Sequence, residues 1–347
     1  MKIRSAKKSD RDIVLQFCTD TFTWGDYIDR VFDLWYHEPY GKLFVAEEDT
    51  LNRNDNYVCD PSKQHKTDAI ITNTTANVQP IALAHVVLCP NKTRLWIEGI
   101  RVKQNYRRNK VATALVDEML EYGRRQGAIE ASAIISVNNM ASRLLFENKG
   151  FNVVSKWGYY NIQINNNEYN QINDKNSSKD KVKKRIATLE DADDVWDYLQ
   201  GSKTYRLSGK RYFESWRWYP LDHKKIIDFV RHHKVIIVEN NNSMVEGVAI
   251  INDTRYWDKT EGFQIVYLDA PLMSQSRNLV LFCVDLCTTI SLSDNTHDNS
   301  KNNKNNSNRH NLNQLQIISY QTNELSAIMS HFNIVESAQF FLYYLSL

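Results

Sequence analysis

The sequence has no excess of either charge: Lys+Arg total 43 against Asp+Glu 41, a net charge of +2 over 347 residues. A nucleic-acid binder needs many phosphate-neutralising side chains on one face, and this balance excludes that class as a leading reading. Long apolar runs are missing as well. The most apolar stretch, Asn278 to Ile290, is interrupted by Asp285 and falls short of the roughly 20 residues that a bilayer requires. The opening MKIRSAKKSD has charge but no apolar segment behind it, unlike a secretory leader. The chain therefore reads as cytoplasmic, with no membrane or nucleic-acid partner. Cysteines are few: Cys18, Cys59, Cys89, Cys283 and Cys287 are odd in number and form no CxxC pair. They read as free thiols, and neither a disulfide framework nor a metal site is expected. What is present is a soluble globular balance, 42% hydrophobic and 24% charged. At about 150 residues per domain the length points to two domains.

Two polar stretches punctuate the chain. Asn165 to Lys184 reads as an exposed linker, and Asp294 to Asn313, dense in Asn, Ser and Lys, as an insertion within a domain. A third, Asp49 to Gln79, separates two strand-like runs. The halves on either side of the linker resemble each other. Ile3-Arg4-Ser5-Ala6 precedes a helix with Ser9 as N-cap and Asp12 three residues on; Arg185-Ile186-Ala187-Thr188 precedes an acidic helix start at Glu190, Asp191 and Asp193. Lys42 to Glu47 answers Lys234 to Glu239, and Ile81 to Val87 answers Val245 to Ile251. Phe151 to Val154 answers Phe332 to Val335, and Tyr159-Tyr160 answers Phe340-Phe341. Matches in the same order imply a tandem duplication, with domains at 1–164 and 185–347 joined by a linker at 165–184.

In the first half the patterning predicts strands at 1–6, 42–47, 80–88, 94–102, 129–136 and 151–163. Helices are predicted at 9–22, 26–37, 111–126 and 139–148. Strands cluster and then alternate with helices, which indicates an α/β fold of the α+β type, a mixed sheet with helices on its faces. The informative segment is Arg94 to Gly127. An alternating strand, Leu95 to Val102, runs into a basic turn, and a helix opens at Val111-Ala112 with Val111, Leu115, Met119 and Tyr122 on one face. A helix opening after a strand points unpaired N–H groups and its positive dipole end at the turn. Small Ala112 admits a ligand to the backbone, and Arg107, Arg108 and Lys110 add full charges. The arrangement suits a pyrophosphate; a solvated basic turn before a surface helix has the same spacing.

Residues 94–151 resemble the acetyl-coenzyme-A-binding core of the GNAT N-acetyltransferases. That family's turn, Arg/Gln-x-x-Gly-x-Gly/Ala, appears as Arg107-Arg108-Asn109-Lys110-Val111-Ala112, with Lys110 where Gly is usual. The later pattern appears as Asn139, Ser142, Phe146 and Gly150-Phe151, and the opening Ile-Arg-x-Ala is also typical. The resemblance covers residues 1–163. It implies acetyl-CoA as co-substrate and direct transfer to an amine in a ternary complex. The cofactor's pantetheine would pair with Ile100, Arg101 and Val102, and Asn139 and Phe146 would also lie at the cofactor. Asn139 equally suits a helix N-cap.

An acceptor amine must be neutral to attack, so a base is needed within reach. Glu98 is the candidate: period-two counting puts it on the face of Ile100 and Val102. A solvated, idle carboxylate and a counter-ion for the substrate ammonium are the other readings. Phe146 stands where many family members carry a Tyr that protonates the leaving thiolate, so solvent or another hydroxyl, Tyr159 or Tyr160, would do that work. His85 and Trp96 are candidate substrate contacts.

The second half keeps the framework and loses the turn. After Phe263 to Asp269 comes Ala270-Pro271-Leu272-Met273-Ser274-Gln275-Ser276-Arg277-Asn278, with one Arg, no Gly, and a Pro that offers no N–H. It reads as a degenerate copy that covers the first and shapes the acceptor pocket. Tyr205 and the aromatic run Tyr212 to Tyr219 read as a core helix, or as the lining of a pocket or inter-domain seam. The whole plan is similar, in patches, to the vertebrate histidine N-acetyltransferase group, which implies an amino-acid amine as acceptor. The expected activity is N-acetyl transfer to a small-molecule primary amine. Transfer to a protein or peptide N-terminus, and a non-catalytic acyl-CoA sensor, stay open.

Overall fold

The computed structural model describes residues 1–19, 21, 25–48, 79–164, 183–252, 263–297 and 314–347. Most of the three polar segments (49–78, 165–182 and 298–313) lies outside the described residues, as does Cys59.

The first compact unit holds Met1–Ala133 with Leu345–Leu347. Its strands are β1 (Lys2–Ser5), β2 (Gly41–Glu47), β3 (Pro80–Leu88), β4 (Arg94–Val102) and β5 (Glu130–Ser136), neighbours in that order. The first four pair antiparallel and β4 pairs parallel with β5. The helices are α1 (Arg11–Cys18), α2 (Ile28–Tyr36) and α3 (Val111–Arg125). On α3, Val111, Leu115, Val116, Met119 and Leu120 are buried, a helical stripe of apolar positions turned to the sheet. Tyr122 of α3 packs edge-on against Phe44, while Trp35 of α2 stacks on His85, the register partner of Leu43. Adjacent residues of a strand point to opposite faces, so α2 and α3 cover opposite faces of this sheet.

The second unit is Ile134–Tyr344. It contains α4 (Met140–Glu147), β6 (Asn152–Gln163), β7 (Lys183–Ile186), α5 (Ala192–Gly201), α6 (Lys203–Leu207), β8 (Arg211–Glu214), β9 (Arg217–Pro220), α7 (His223–Arg231), β10 (Val235–Glu239), β11 (Val245–Asn252), β12 (Phe263–Asp269), α8 (Met273–His297), β13 (Gln314–Tyr320), α9 (Asn323–Met329) and β14 (Ile334–Ser346). The order β7-β10-β11-β12-β13 repeats that of β1 to β5, antiparallel throughout except for parallel β12–β13. β6 then pairs antiparallel with both β13 and β14. Because β6 finds both neighbours among strands of the second sequence half, compactness divides the chain at Ala133, whereas the repeat divides it at the linker. Two other elements differ from expectation. Lys183 and Lys184 belong to β7 rather than to a linker, and α8 runs through residues 294–297 of the expected insertion.

The duplication extends to individual ion pairs. Arg4 reaches Asp10 at 2.7 Å and Glu47 at 2.5 Å; Arg185 reaches Asp191 at 2.6 Å and also Glu239. In each copy the Asp also accepts a backbone N–H three residues back, from Lys7 or Thr188, at 2.6 Å. The first cap is therefore Asp10, not the expected Ser9 with Asp12, and α1 begins at Arg11. The charged Arg4 partner selects Asp10, since a charge-assisted bond outweighs a neutral hydroxyl cap.

The aromatic run is neither a helix nor disordered lining. It is a hairpin, β8–β9, turned by Ser215 and Trp216 at φ +52° and +61°, the left-handed pair that matches strand twist. Its rings pack within the second unit: Trp218 on Trp157 at 5.4 Å, and Trp216 on Tyr159 at 5.7 Å and Phe340 at 5.6 Å.

Candidate active site

β4 has three distinct parts. From Arg94 to Ile97 it pairs with β5, ending at Ile97 opposite Ala133. At Gly99 the ladder with β3 slips by one residue, since His85 faces Glu98 but Leu83 faces Arg101. Gly99 has φ +67°, and a Cβ there would lie 2.5 Å from the Trp35 ring. The site thus needs glycine for conformation and for space. Beyond the bulge, Ile100 to Val102 runs on past the last β5 partner. The bulge also interrupts the period-two count that places Glu98 with Ile100 and Val102. Glu98 shares contacts with His85 and Trp96, and Arg101, not Ile100, joins that side through Tyr27 and Trp35.

Those contacts form one connected cluster. Glu98 Oε1 is 2.9 Å from His85 Nδ1, and Oε2 accepts from Trp96 Nε1 at 3.0 Å. The Trp35 ring lies parallel to the His85 imidazole, centroids 4.6 Å apart, and edge-on to Tyr27 at 6.1 Å. The Arg101 guanidinium lies over Tyr27 and makes a two-pronged pair with Asp26, at 2.6 and 2.9 Å. Both side chains are buried; burial, the largest influence, lowers the Arg101 pKa, but Tyr27 and then Asp26 together raise it above its ordinary value. Glu38 lies 3.7 Å from His85 Nε2. The donor atoms of Glu38, His85 and Glu98 fall within 4.8 Å of one another, the reach of a single cation. Glu98 Oε1 approaches Nδ1, and Gly41 closes over Nε2, where a Cβ would come within 2.9 Å.

The turn that follows is fully solvated: Arg107, Arg108, Asn109 and Lys110 are exposed. Arg107 Nε donates to the Val102 carbonyl at 3.1 Å. Arg108 and Lys110 take φ +64° and +60°, so Lys110 adopts the left-handed backbone without glycine at a cost of about 1 kcal/mol or more. Such strain gathers where a turn must aim its amides. Val111 is buried and Ala112 half-buried at the helix start.

The other expected residues lie in the second unit. Asn139 caps α4, accepting from the Ser142 amide at 3.1 Å. Phe146 is buried against Phe151 at 4.9 Å. The Tyr159 hydroxyl donates to Glu336 at 3.3 Å and accepts from Gln316 at 3.4 Å. Tyr160 donates to Gln321 at 2.9 Å. His85 is wholly buried, so it is not the open substrate contact the sequence suggests; its ring touches Glu98 and Trp35. Trp96 is buried too and anchors Glu98. Sequence patterning missed Asp26, Trp35, Glu38 and Gly41. Trp35 belongs to the apolar stripe of α2, whereas Asp26 and Glu38 flank that helix and Gly41 opens β2, where no periodicity marks them.

In the second unit the equivalent place holds different chemistry. Pairing of β12 with β13 ends at Ile265, and the ladder with β11 slips between Ile250 and Ile251. Register with β2 and β10 aligns His85, opposite Leu43, with Ile250, opposite Val235, and Ile250 faces Tyr267 where His85 faces Glu98. Beyond the slip, Asp269 is buried and accepts from Ser202 at 2.5 Å, Tyr267 at 2.8 Å and Tyr198 at 3.3 Å. Burial, the largest influence, raises its carboxyl above the usual range against those bonds. Among the described residues no helix is long and apolar enough to cross a membrane.

No curated protein sequence matches the chain. Among solved structures, it is similar over 99% of its length to 95% of a GCN5-related N-acetyltransferase from Sphaerobacter thermophilus, at 10% identity and TM-score 0.56. A tandem GNAT protein from the clavulanic acid biosynthesis pathway matches over 99% of this chain and 98% of its own, at 8% identity and TM-score 0.50. At such identities the likeness is one of fold. The sequence model of the acetyltransferase (GNAT) family matches residues 13–151, a span that contains β4, its bulge and the basic turn. The protein has a tandem GNAT-like fold, and its residues 13–151 match the acetyltransferase (GNAT) family.

Proposed function

We propose that this protein transfers an acetyl group from acetyl-CoA to the primary amine of a small molecule, an amino acid among the candidates. One observation carries the reading: β4 outlasts its β5 partner after Ile97, beside a carboxylate held by two donors, and runs directly into an exposed basic turn. The stretch Ile100, Arg101 and Val102, which continues beyond the last β5 partner, suits an extended pantetheine. Arg107, Arg108, Asn109 and Lys110, with the amides of Val111 and Ala112 at the start of α3, suit its phosphates. Asn139 and Phe146 complete the cofactor set. When bound, acetyl-CoA supplies an activated thioester. Glu98 takes one proton from the acceptor amine as the N–C bond forms and the C–S bond breaks, the sulfur leaving with the electron pair. Phe146 has no proton to give, and Tyr159 is our candidate to protonate that sulfur. A reducing, cytoplasmic setting suits the free thiols Cys18, Cys89 and Cys283.

The test is thiol release from acetyl-CoA across free amino acids, polyamines and short peptides, run beside Glu98→Gln and Tyr159→Phe. We expect turnover with a small-molecule class and a fall of roughly 10²- to 10⁴-fold in Glu98→Gln with acetyl-CoA affinity unchanged. Turnover confined to peptides would replace the small-molecule reading with N-terminal acetylation. Cofactor binding with no turnover would leave a sensor. An unchanged rate in Tyr159→Phe would remove Tyr159 as the acid.

A further inference from the structure

We infer that His85 and Glu38 are positioning residues for Glu98: a buried imidazole, lying between two carboxylates, fixes the base's orientation. The inference rests on the transfer reading above and adds to it the device that holds the base.

Four observations carry it. First, His85 is wholly buried, yet it is a polar ring whose two nitrogens both face carboxylates, Glu98 at 2.9 Å and Glu38 at 3.7 Å. An ionised carboxylate only accepts, so the Nδ1 facing Glu98 carries a proton. Nε2 has no hydrogen-bond partner, and an unpaired buried nitrogen is costly unless something else requires it. Second, the ring cannot swing. Trp35 stacks on it in parallel, and two glycines on different strands make room, Gly41 for the imidazole and Gly99 for Trp35.

Third, Glu98 is held at both oxygens, by His85 and by Trp96, which leaves its remaining lone pairs in a fixed direction. Fourth, the fold does not need this cluster. In the second unit the register counterparts of His85 and Glu98 are Ile250 and Tyr267, both buried, so an uncharged pair satisfies the same geometry. Among the described residues, the charged or titratable groups near Glu98 besides His85, Glu38 and Trp96 include Tyr27, which interacts with it electrostatically, and the Arg101–Asp26 pair beside Tyr27.

Glu38 supplies the discriminating test, because its effect on Glu98 passes through His85. The experiment measures kcat, KM and the pH dependence of kcat for wild type, His85→Gln, Glu38→Gln and Glu98→Gln with the best amine of the acceptor panel. Acetyl-CoA affinity and thermal melts are followed in parallel. ¹⁵N-histidine labelling follows the ring N–H of His85. We expect kcat to fall about 10- to 100-fold in His85→Gln and several-fold in Glu38→Gln. The acidic limb should move in both, with KM and acetyl-CoA affinity within twofold. A protected Nδ1–H signal should be present in wild type and absent in Glu98→Gln. If His85→Gln does not fold, Glu38→Gln, at the cluster's edge, decides the matter. An inactive Glu98→Gln beside a Glu38→Gln with unmoved kcat and pH profile would overturn the positioning role and leave the base standing. Full activity in Glu98→Gln would remove Glu98 as the base and this inference with it, and no turnover in wild type would overturn the transfer reading as well.

Discussion

The molecule contains the same strand arrangement twice, and the two copies differ where chemistry would occur. Around β4, a ladder slip follows a His–Glu pair, and the strand continues into four exposed residues, three of them cationic. Around β12, an Ile250–Tyr267 pair stands in the place of His85–Glu98, and the strand ends at Asp269, buried under Ser202, Tyr198 and Tyr267 and followed by Pro271. The framework ion pairs, Arg4 with Asp10 and Glu47 and Arg185 with Asp191 and Glu239, are retained in both. Charged residues that hold the fold are thus present in duplicate, whereas those of the candidate site occur in one copy. The buried Asp269 network illustrates what the second copy does with its polar groups: each is bonded inward, where a ligand would need them outward.

The sharpest way to break this contrast is to make the first copy's cluster apolar. The double substitution His85→Ile, Glu98→Ile should give a folded protein that still binds acetyl-CoA, with thiol release lowered at least about 10³-fold. A folded variant with wild-type turnover would show that the cluster is mere packing.

Asp26→Ala comes next. It strands the Arg101 guanidinium among buried groups and should cost about 3–5 kcal/mol in denaturant unfolding; a cost under about 1 kcal/mol would mean that Arg101 finds another partner. The turns can be compared directly. Ala112→Glu places a carboxylate where phosphate is expected and should weaken acetyl-CoA binding about 100-fold by calorimetry. Ser274→Glu, the second helical residue of α8 as Ala112 is of α3, should leave binding unchanged. Equal losses would assign the cofactor to both copies.

The smallest effect concerns the shared ion pairs. Hydrogen bonds from Arg185 hold the Asp191 carboxyl well below the usual carboxylate range. Burial would raise Asp10 and Glu239, but their Arg and Lys partners outweigh it and both titrate below their ordinary values. In each case the unfolded chain binds the proton first. The stabilisation is therefore complete above the ordinary carboxylate range and is lost as pH falls through the lower folded values. Arg185→Ala should flatten the decline of stability between about pH 5 and pH 2 by on the order of 1 kcal/mol, and Arg4→Ala should do the same. A change confined to one copy would show that the two frameworks are not equivalent.

Much of this was legible in the chain itself. Apolar periodicity placed β3 and β4 at their observed bounds and α3, β5 and α4 within a residue, because each buries a regular face. Matching segments disclosed the repeat. The aromatic hairpin was misread because dense aromatics lack a clear period, and only the left-handed Ser215-Trp216 pair shows the turn.

The sequence by itself determined the duplicated α/β plan, the basic turn before α3 and the loss of that turn in the second half, since these depend on local patterning and composition. Only the tertiary structure decided that β4 parts from β5 at Ile97 and slips at Gly99, that β6 pairs with β13 and β14, and that Asp26, Trp35, Glu38 and Gly41 assemble around His85 and Glu98. Those features depend on register and on close approach between residues far apart in the chain. A one-residue slip, invisible to any count along a strand, turns Arg101 rather than Ile100 toward the acid cluster.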